Sequence, residues 1–337
     1  MARRTLYRVA GESLLVETQD SWATAAIDAL FAGWYLKPVL AVDGVTPAPG
    51  IVMSSEVRPA PIPSGLEEFE IAGGGTCYTD GRTSYLDIEG SIVAIGEPGA
   101  AAIEVRMDGP LPLEAPALTR VVTYALSAAL RQRHRFELHS AAVVDPESGK
   151  GVLIVGPSGS GKSTLSVHAA SAGWPFLTDD VLLLSKESEE VKAWPLRRCF
   201  AVTSDTFAAS RVLQARTSLD DMARQADDKR QFLPHEMFAA EFRDHCVPAT
   251  LLFPTLSAGS HSDVARLSSA DTMARLIRMN PWSCYDRSTA AHHLAVLSAL
   301  AKQAVGYSVL ARKDLLDPEA SVSLIAACAR ESTSIVK

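Results

Sequence analysis

The residues most capable of chemistry lie between 151 and 184. Gly151 to Leu165 reads Gly-Val-Leu-Ile-Val-Gly-Pro-Ser-Gly-Ser-Gly-Lys-Ser-Thr-Leu, an apolar run, then G-x-x-x-x-G-K-S, then a helical pattern. Gly156, Gly159 and Gly161 allow backbone N–H groups to converge on phosphate oxygens without Cβ clashes, and Ser158, Ser160 and Thr164 complete the predicted cradle. The helix N-terminus adds partial positive charge. Lys162 is expected to reach the β- and γ-phosphates of ATP, and the Ser163 hydroxyl to ligate Mg²⁺.

The helix is predicted to stop near Gly173, after which Pro175 to Thr178 forms a short strand ending at Asp179-Asp180. A right-handed crossover makes this strand run parallel to the one before the loop, so both carboxylates arrive on the phosphate side of the sheet. Magnesium needs a carboxylate in its shell, and phosphoryl transfer to a hydroxyl needs one to orient the attacking oxygen and take its proton. Two adjacent aspartates can divide those roles.

Upstream, Phe136 to Val144 and Val152 to Val155 read as a hairpin closed by the seven residues Asp145 to Gly151. Pairing Val144 with Val152 puts His139 opposite Pro157, at the reacting phosphate. A lone histidine is equally at home in a core, so both roles stay open. Arg197 or Arg198, with Arg198 as the catalytic candidate, and Lys229-Arg230 are basic groups that could face the transferring phosphoryl group. The polar stretch from Ser210 to Arg230 reads as a loop or exposed helix able to close on substrate.

The set His139, Gly156 to Ser163 and Asp179-Asp180 resembles the core of the HPr kinase/phosphorylase-related P-loop kinases, over roughly Leu138 to Leu184. The chain looks like a divergent member, similar to kinases of lasso-peptide precursors. That resemblance implies nucleotide binding by the loop and Lys162, Mg²⁺ binding by Ser163 with Asp179, and hydroxyl activation by Asp180 with His139 assisting. Members acting on HPr carry Leu-Glu-Ile-Arg-Gly-Leu-Gly downstream and Glu after the loop serine. Here Pro195 to Val202 lacks the Glu and the glycines, and Thr164 follows Ser163. Phosphorolysis and HPr itself are therefore not implied.

The elements that must position these groups suggest an α/β P-loop domain with a mixed sheet and helices, preceded by a smaller β-rich α+β domain. The predicted boundary falls at the helix starting at Pro116, giving domains 1–115 and 116–337. In the first domain we expect a hairpin over Leu6 to Val16, a helix from Ser21 as N-cap through Trp34, and irregular or edge structure over the Pro-rich passage 38–63. Short strands at Phe69 to Ala72, Cys77-Tyr78, Tyr85 to Ile88, Ile92 to Ile95 and Ile103 to Met107 should follow. Thr250 to Phe253 reads as a later strand, and 271–279 and 289–304 as helices in which His292 and His293 serve packing.

Length 337 accommodates about two domains. The 32 Lys plus Arg against 39 Asp plus Glu, net −7, give no basic field for nucleic acid, so none is expected as a partner. Five scattered cysteines without a C-x-x-C pair suggest neither a disulfide framework nor zinc. The absence of a long apolar run or an apolar signal core near Met1 gives the expectation of a cytoplasmic protein with no membrane partner. A homo-oligomer is compatible with this composition. The expected activity is ATP- and Mg²⁺-dependent transfer to a hydroxyl, with a serine of a protein or peptide as the first expected acceptor and a small-molecule hydroxyl as the other. A transporter ATPase is disfavoured because no Leu-Ser-Gly-Gly-Gln signature is present. The remaining alternative is a non-catalytic nucleotide-binding regulator.

Overall fold

The computed structural model describes residues 2–33, 36–39, 50–71, 74–96, 102–197, 199–218, 223–224, 230–280 and 286–335. They form a mixed α/β protein whose chain divides into two units, Met1–Phe136 with Trp282–His292, and Glu137–Pro281 with His293–Lys337. The helix Pro116–Arg131, taken from the sequence as the start of the second domain, lies in the first unit, because its buried stripe packs on that unit's sheet.

In the first unit, β1 (Arg3–Val9) and β2 (Glu12–Thr18) form the expected hairpin, and α1 (Ser21–Gly33) follows. Asp20, not Ser21, caps α1: its carboxylate accepts the Ala23 N–H at 2.7 Å. The same side chain accepts Ser55 N–H at 2.7 Å, tying the helix to the strand region that follows. The remaining strands are β3 (Lys37–Val39), β4 (Ile51–Ser54), β5 (Glu67–Glu70), β6 (Thr76–Thr79), β7 (Ser84–Ile88), β8 (Ser91–Ile95) and β9 (Ile103–Arg106), before α2 (Pro116–Arg131). Among the described residues they make one sheet, β3-β1-β2-β4-β9-β8-β7-β6-β5. The Pro-rich passage thus holds a central strand as well as an edge: β4 lies between β2 and β9 and runs parallel to both. The apolar face of α2 (Leu118, Val121, Val122, Ala125, Leu126) covers β4, β7, β8 and β9.

The second unit opens with β10 (Phe136–Val144), β11 (Gly151–Val155), α3 (Lys162–Ser171), β12 (Phe176–Thr178), β13 (Val181–Glu187), β14 (Glu190–Pro195) and β15 (Phe200–Val202). Short elements follow: α4 (Ser204–Ala209), α5 (Arg211–Gln214), β16 (Ala223–Arg224), β17 (Arg230–Phe232) and α6 (Pro234–Met237). It closes with β18 (Pro248–Leu256), β19 (Asp263–Arg266), α7 (Ser269–Arg278), α8 (Arg287–Gln303, of which the part up to His292 belongs to the first unit), β20 (Val305–Ala311), a 3₁₀ turn (Lys313–Leu316) and α9 (Pro318–Ile335).

The main sheet runs β14-β13-β10-β11-β18-β20-β19, with β12 also on β10, and β15-β17-β16 form a separate small sheet. Strands β11, β18 and β20 are parallel. Both β11 and β12 are antiparallel to β10, so β12 runs in the same sense as β11, with β10 between them. The carboxyl ends of β11, β12, β18 and β20 therefore share one edge of the sheet, where open α/β sheets place their ligands. Beneath that edge, Val143, Val152, Ile154, Phe176, Leu252 and Tyr307 pack with α3 and α9 into a continuous core.

The β10–β11 hairpin differs from expectation by one residue. Val144 pairs with Gly151, not Val152, because Asp145 N–H donates to Lys150 O at 2.9 Å and the Asp145 carboxylate accepts from Ser148, closing a shorter loop. His139 accordingly sits one position before the Ser140–Val155 pair, across from Gly156 instead of Pro157.

Candidate functional site

The loop from Gly156 to Gly161 joins the end of β11 to the start of α3. Gly159 and Gly161 have φ of +78° and +100°, left-handed values that a side chain would strain. Gly156 is required for a different reason: a Cβ there would lie 2.6 Å from Ser160 Oγ. Ser160 is turned inward against it, so these two predicted contacts form the loop's interior, while Ser158, Gly159, Gly161, Lys162, Ser163 and Thr164 line a cleft of about 430 Å³. Lys162 is 6% exposed and donates to Gly156 O at 2.8 Å and Pro157 O at 2.9 Å, placing its ammonium over the loop's entry.

Both aspartates reach the same cleft, in different environments. Strand β12 is fully buried, and Phe176 lies against Phe200 (centroids 4.5 Å), which stacks on Phe232 (5.2 Å). This packing brings β15 beside the end of β12, where Ala201 N–H points to Asp179 Oδ2 at 3.4 Å. From α3, Ser166 Oγ donates to Asp179 Oδ1 at 2.7 Å. Burial pushes the Asp179 carboxyl up from 3.8 to about 6, against hydrogen bonds from Ser166 and Ser163 that pull it down.

Asp180 faces the opening. Its backbone carbonyl accepts Ser140 N–H at 3.0 Å, which ties it to β10. Its carboxylate lies 3.7 Å from His139 Nε2 and 3.6 Å from Arg197 Nη1, and the Asp180 side chain is 31% exposed. The arginine brought here is Arg197; Arg198 and Lys229 lie outside the described residues. Arg230 pairs across β17 with Val202 of β15. The cleft is completed by Ala201, Thr203, Leu256 and Leu316.

Sequence reasoning did not identify Ser166, Leu256 or Leu316. Ser166 had a usable signal, three residues after Ser163 and hence on the same face of α3. The leucines had none, since an isolated apolar residue at a strand end, as Leu256 is, or in a short turn, as Leu316 is, reads as packing. A larger groove, about 980 Å³, lies where β11 and β18 begin, at the opposite end of these strands. Three ion pairs, Lys192–Glu187 (2.7 Å), Lys186–Glu189 (3.8 Å) and Lys150–Glu190 (4.0 Å), take up most of its charge, and Lys302 is a fourth lysine in its lining.

The donor set suits a magnesium ion that arrives with a nucleotide. Mg²⁺ keeps waters and takes one or two carboxylates together with phosphate oxygens. The chain offers the Asp179 carboxylate and the Ser163 hydroxyl, both lining the cleft. Among the described residues no group of three or more His, Cys, Asp or Glu converges as a self-contained metal site. The four described cysteines, Cys77, Cys199, Cys246 and Cys328, are free and buried. No helix among the described residues is long and apolar enough to cross a membrane.

No protein-family model matches the chain, and no curated protein matches it. Among solved structures it is similar to the Hpr(Ser) kinase/phosphatase from Coxiella burnetii, at 13% identity and a TM-score of 0.34, covering 59% of this chain and 97% of that one. Similarity this low fixes neither family nor chemistry.

Proposed function

We propose that the second unit is an ATP-dependent kinase that transfers the γ-phosphoryl group to a hydroxyl, with a serine of a protein or peptide as acceptor. One observation carries this reading: a single cleft holds a glycine loop with Lys162 and Ser163, a buried carboxylate at Asp179, and an open one at Asp180 between His139 and Arg197.

In this reading the loop N–H groups and the N-terminus of α3 hold the phosphates of ATP, and Lys162 leaves its carbonyl partners to neutralise their charge. Ser163 and Asp179 hold Mg²⁺, which when bound offsets charge on the β- and γ-phosphates. Asp180 orients the incoming hydroxyl and accepts its proton as the oxygen bonds to the γ-phosphorus and the bond to the bridging oxygen breaks, releasing ADP. His139 and Arg197 fix the Asp180 carboxylate, and Arg197 adds positive charge where the transferring group passes.

The test is incubation of the protein with γ-labelled ATP and Mg²⁺, with serine-containing peptides and small hydroxyl compounds as acceptors and Asp180→Asn as control. Label reaching an acceptor only with wild-type protein supports the kinase. ATP binding without transfer or hydrolysis above the control, across the panel, would replace it with a regulatory nucleotide-binding protein.

A further inference from the structure

The cleft is chemically polarised along the sheet. On one side of the glycine loop stand the carboxylates, at the end of β12, with His139 on β10. On the other side stand two leucines: Leu256 ends β18, and Leu316 closes the 3₁₀ turn after β20. Leu256 is 64% exposed and Leu316 is 44% exposed, although large apolar side chains at the rim of a polar cleft gain nothing from water. Leu256 also sits against the start of α3, its Cδ2 3.6 Å from where a Cβ on Gly161 would be.

From these positions we infer that Leu256 and Leu316 form the nucleobase subsite, so that a nucleoside triphosphate lies across the loop with its base at β18 and its γ-phosphate at Asp180. This rests on the nucleotide reading proposed above. Three strand spacings separate β12 from β18 in the order β12-β10-β11-β18, about 14 Å, which matches the scale of an extended nucleoside triphosphate. The acceptor hydroxyl must reach Asp180, on the other side of the loop from the leucines.

The subsite also defines a selectivity. Leucine side chains offer dispersion and apolar burial to either face of a planar ring but no donor or acceptor to its edge. Adenine and guanine are thus held alike, and ATP and GTP bind within about threefold of each other.

The experiment measures equilibrium binding of ATP, GTP and inorganic triphosphate, each with Mg²⁺, to the full chain and to Leu256→Ser, Leu316→Ser and Lys162→Ala. Both leucines are exposed, so serine in their place leaves the fold intact. The inference expects each serine variant to lower ATP and GTP affinity, about tenfold for Leu256→Ser, with triphosphate affinity unchanged. Unchanged ATP affinity in both leucine variants, or a strong preference for one purine, overturns the subsite while leaving the phosphate loop standing. A raised acceptor KM in those variants with unchanged ATP affinity overturns it in favour of acceptor contact. Undiminished binding of ATP and triphosphate by Lys162→Ala defeats the nucleotide reading itself, and the subsite with it.

Discussion

Replacing Asp179 by Asn removes a carboxyl that the fold holds away from water, and the consequence is a measurable change in how stability depends on pH. The group rises from 3.8 to about 6 on folding, mainly by desolvation. A folded-state pKa above the unfolded one means the native state binds the proton more tightly. The associated stability is fully present below about pH 4 and is lost as pH rises through about 6. About two pKa units correspond to about 3 kcal/mol in total, of which about half falls between pH 5 and pH 8. The assay is urea unfolding of wild type and Asp179→Asn across that range, taking the difference between the two proteins at each pH so that every other titrating group cancels. Wild type is expected to lose about 1–2 kcal/mol relative to the variant on going from pH 5 to pH 8. A flat difference, or one of opposite sign, would refute the claim that Asp179 is buried against its own charge. With saturating Mg²⁺ and ATP the slope is expected to vanish, because a ligand that needs the carboxylate ionised binds more tightly at high pH.

Other expectations follow from the same geometry. Lys162→Ala should abolish detectable ATP binding by calorimetry; full turnover in that variant would remove the loop from the site. Asp180→Asn should lower transfer by at least about 10²-fold while ATP affinity stays within a few-fold, as expected for a base that docking does not need; lost binding would instead mark Asp180 as a metal ligand. Arg197→Gln should reduce kcat at least about tenfold with little change in ATP affinity, a split that a purely structural arginine would not produce. Gly156→Ala should cost about 1–3 kcal/mol in urea unfolding, since its Cβ meets Ser160 Oγ at 2.6 Å, and Ser160→Ala in the same chain should restore part of it.

The glycine loop was legible because its chemistry is local: a strand, three glycines and a Lys-Ser pair occupy fixed offsets in one stretch of chain. The aspartate pair was legible for a similar reason, since β12 is short and ends where the crossover brings it back to the loop's edge of the sheet. What escaped depended on phase or on tertiary context. A one-residue shift in the β10–β11 hairpin decided whether His139 faces Gly156 or Pro157, and the difference came from how tightly Asp145 closes the turn. Strand β4 was hidden because four apolar-leaning residues within a Pro-rich passage acquire strand geometry only from β2 and β9 on either side. Asp20 displaced Ser21 as the cap of α1 because a carboxylate there also satisfies the Ser55 N–H.

Side-chain alternation along a strand bears on the choice between a kinase and a passive nucleotide binder. Two consecutive carboxylates at the end of a strand leave the backbone on opposite sides, so Asp179 turns toward Ser166 and Ala201 at 2% exposure while Asp180 meets the cleft at 31%. A protein that only held a nucleotide and its metal would use the buried carboxylate and gain nothing from the second. Keeping an exposed carboxylate beside a metal-phosphate site is electrostatically costly, because it repels the incoming triphosphate. Arg197, with Nη1 3.6 Å from the Asp180 carboxylate, offsets that cost, and His139 Nε2 lies 3.7 Å from the same carboxylate on a different element. This arrangement favours the proposed kinase over a regulatory nucleotide binder, because in the kinase reading the group that approaches Asp180 is a hydroxyl about to lose its proton.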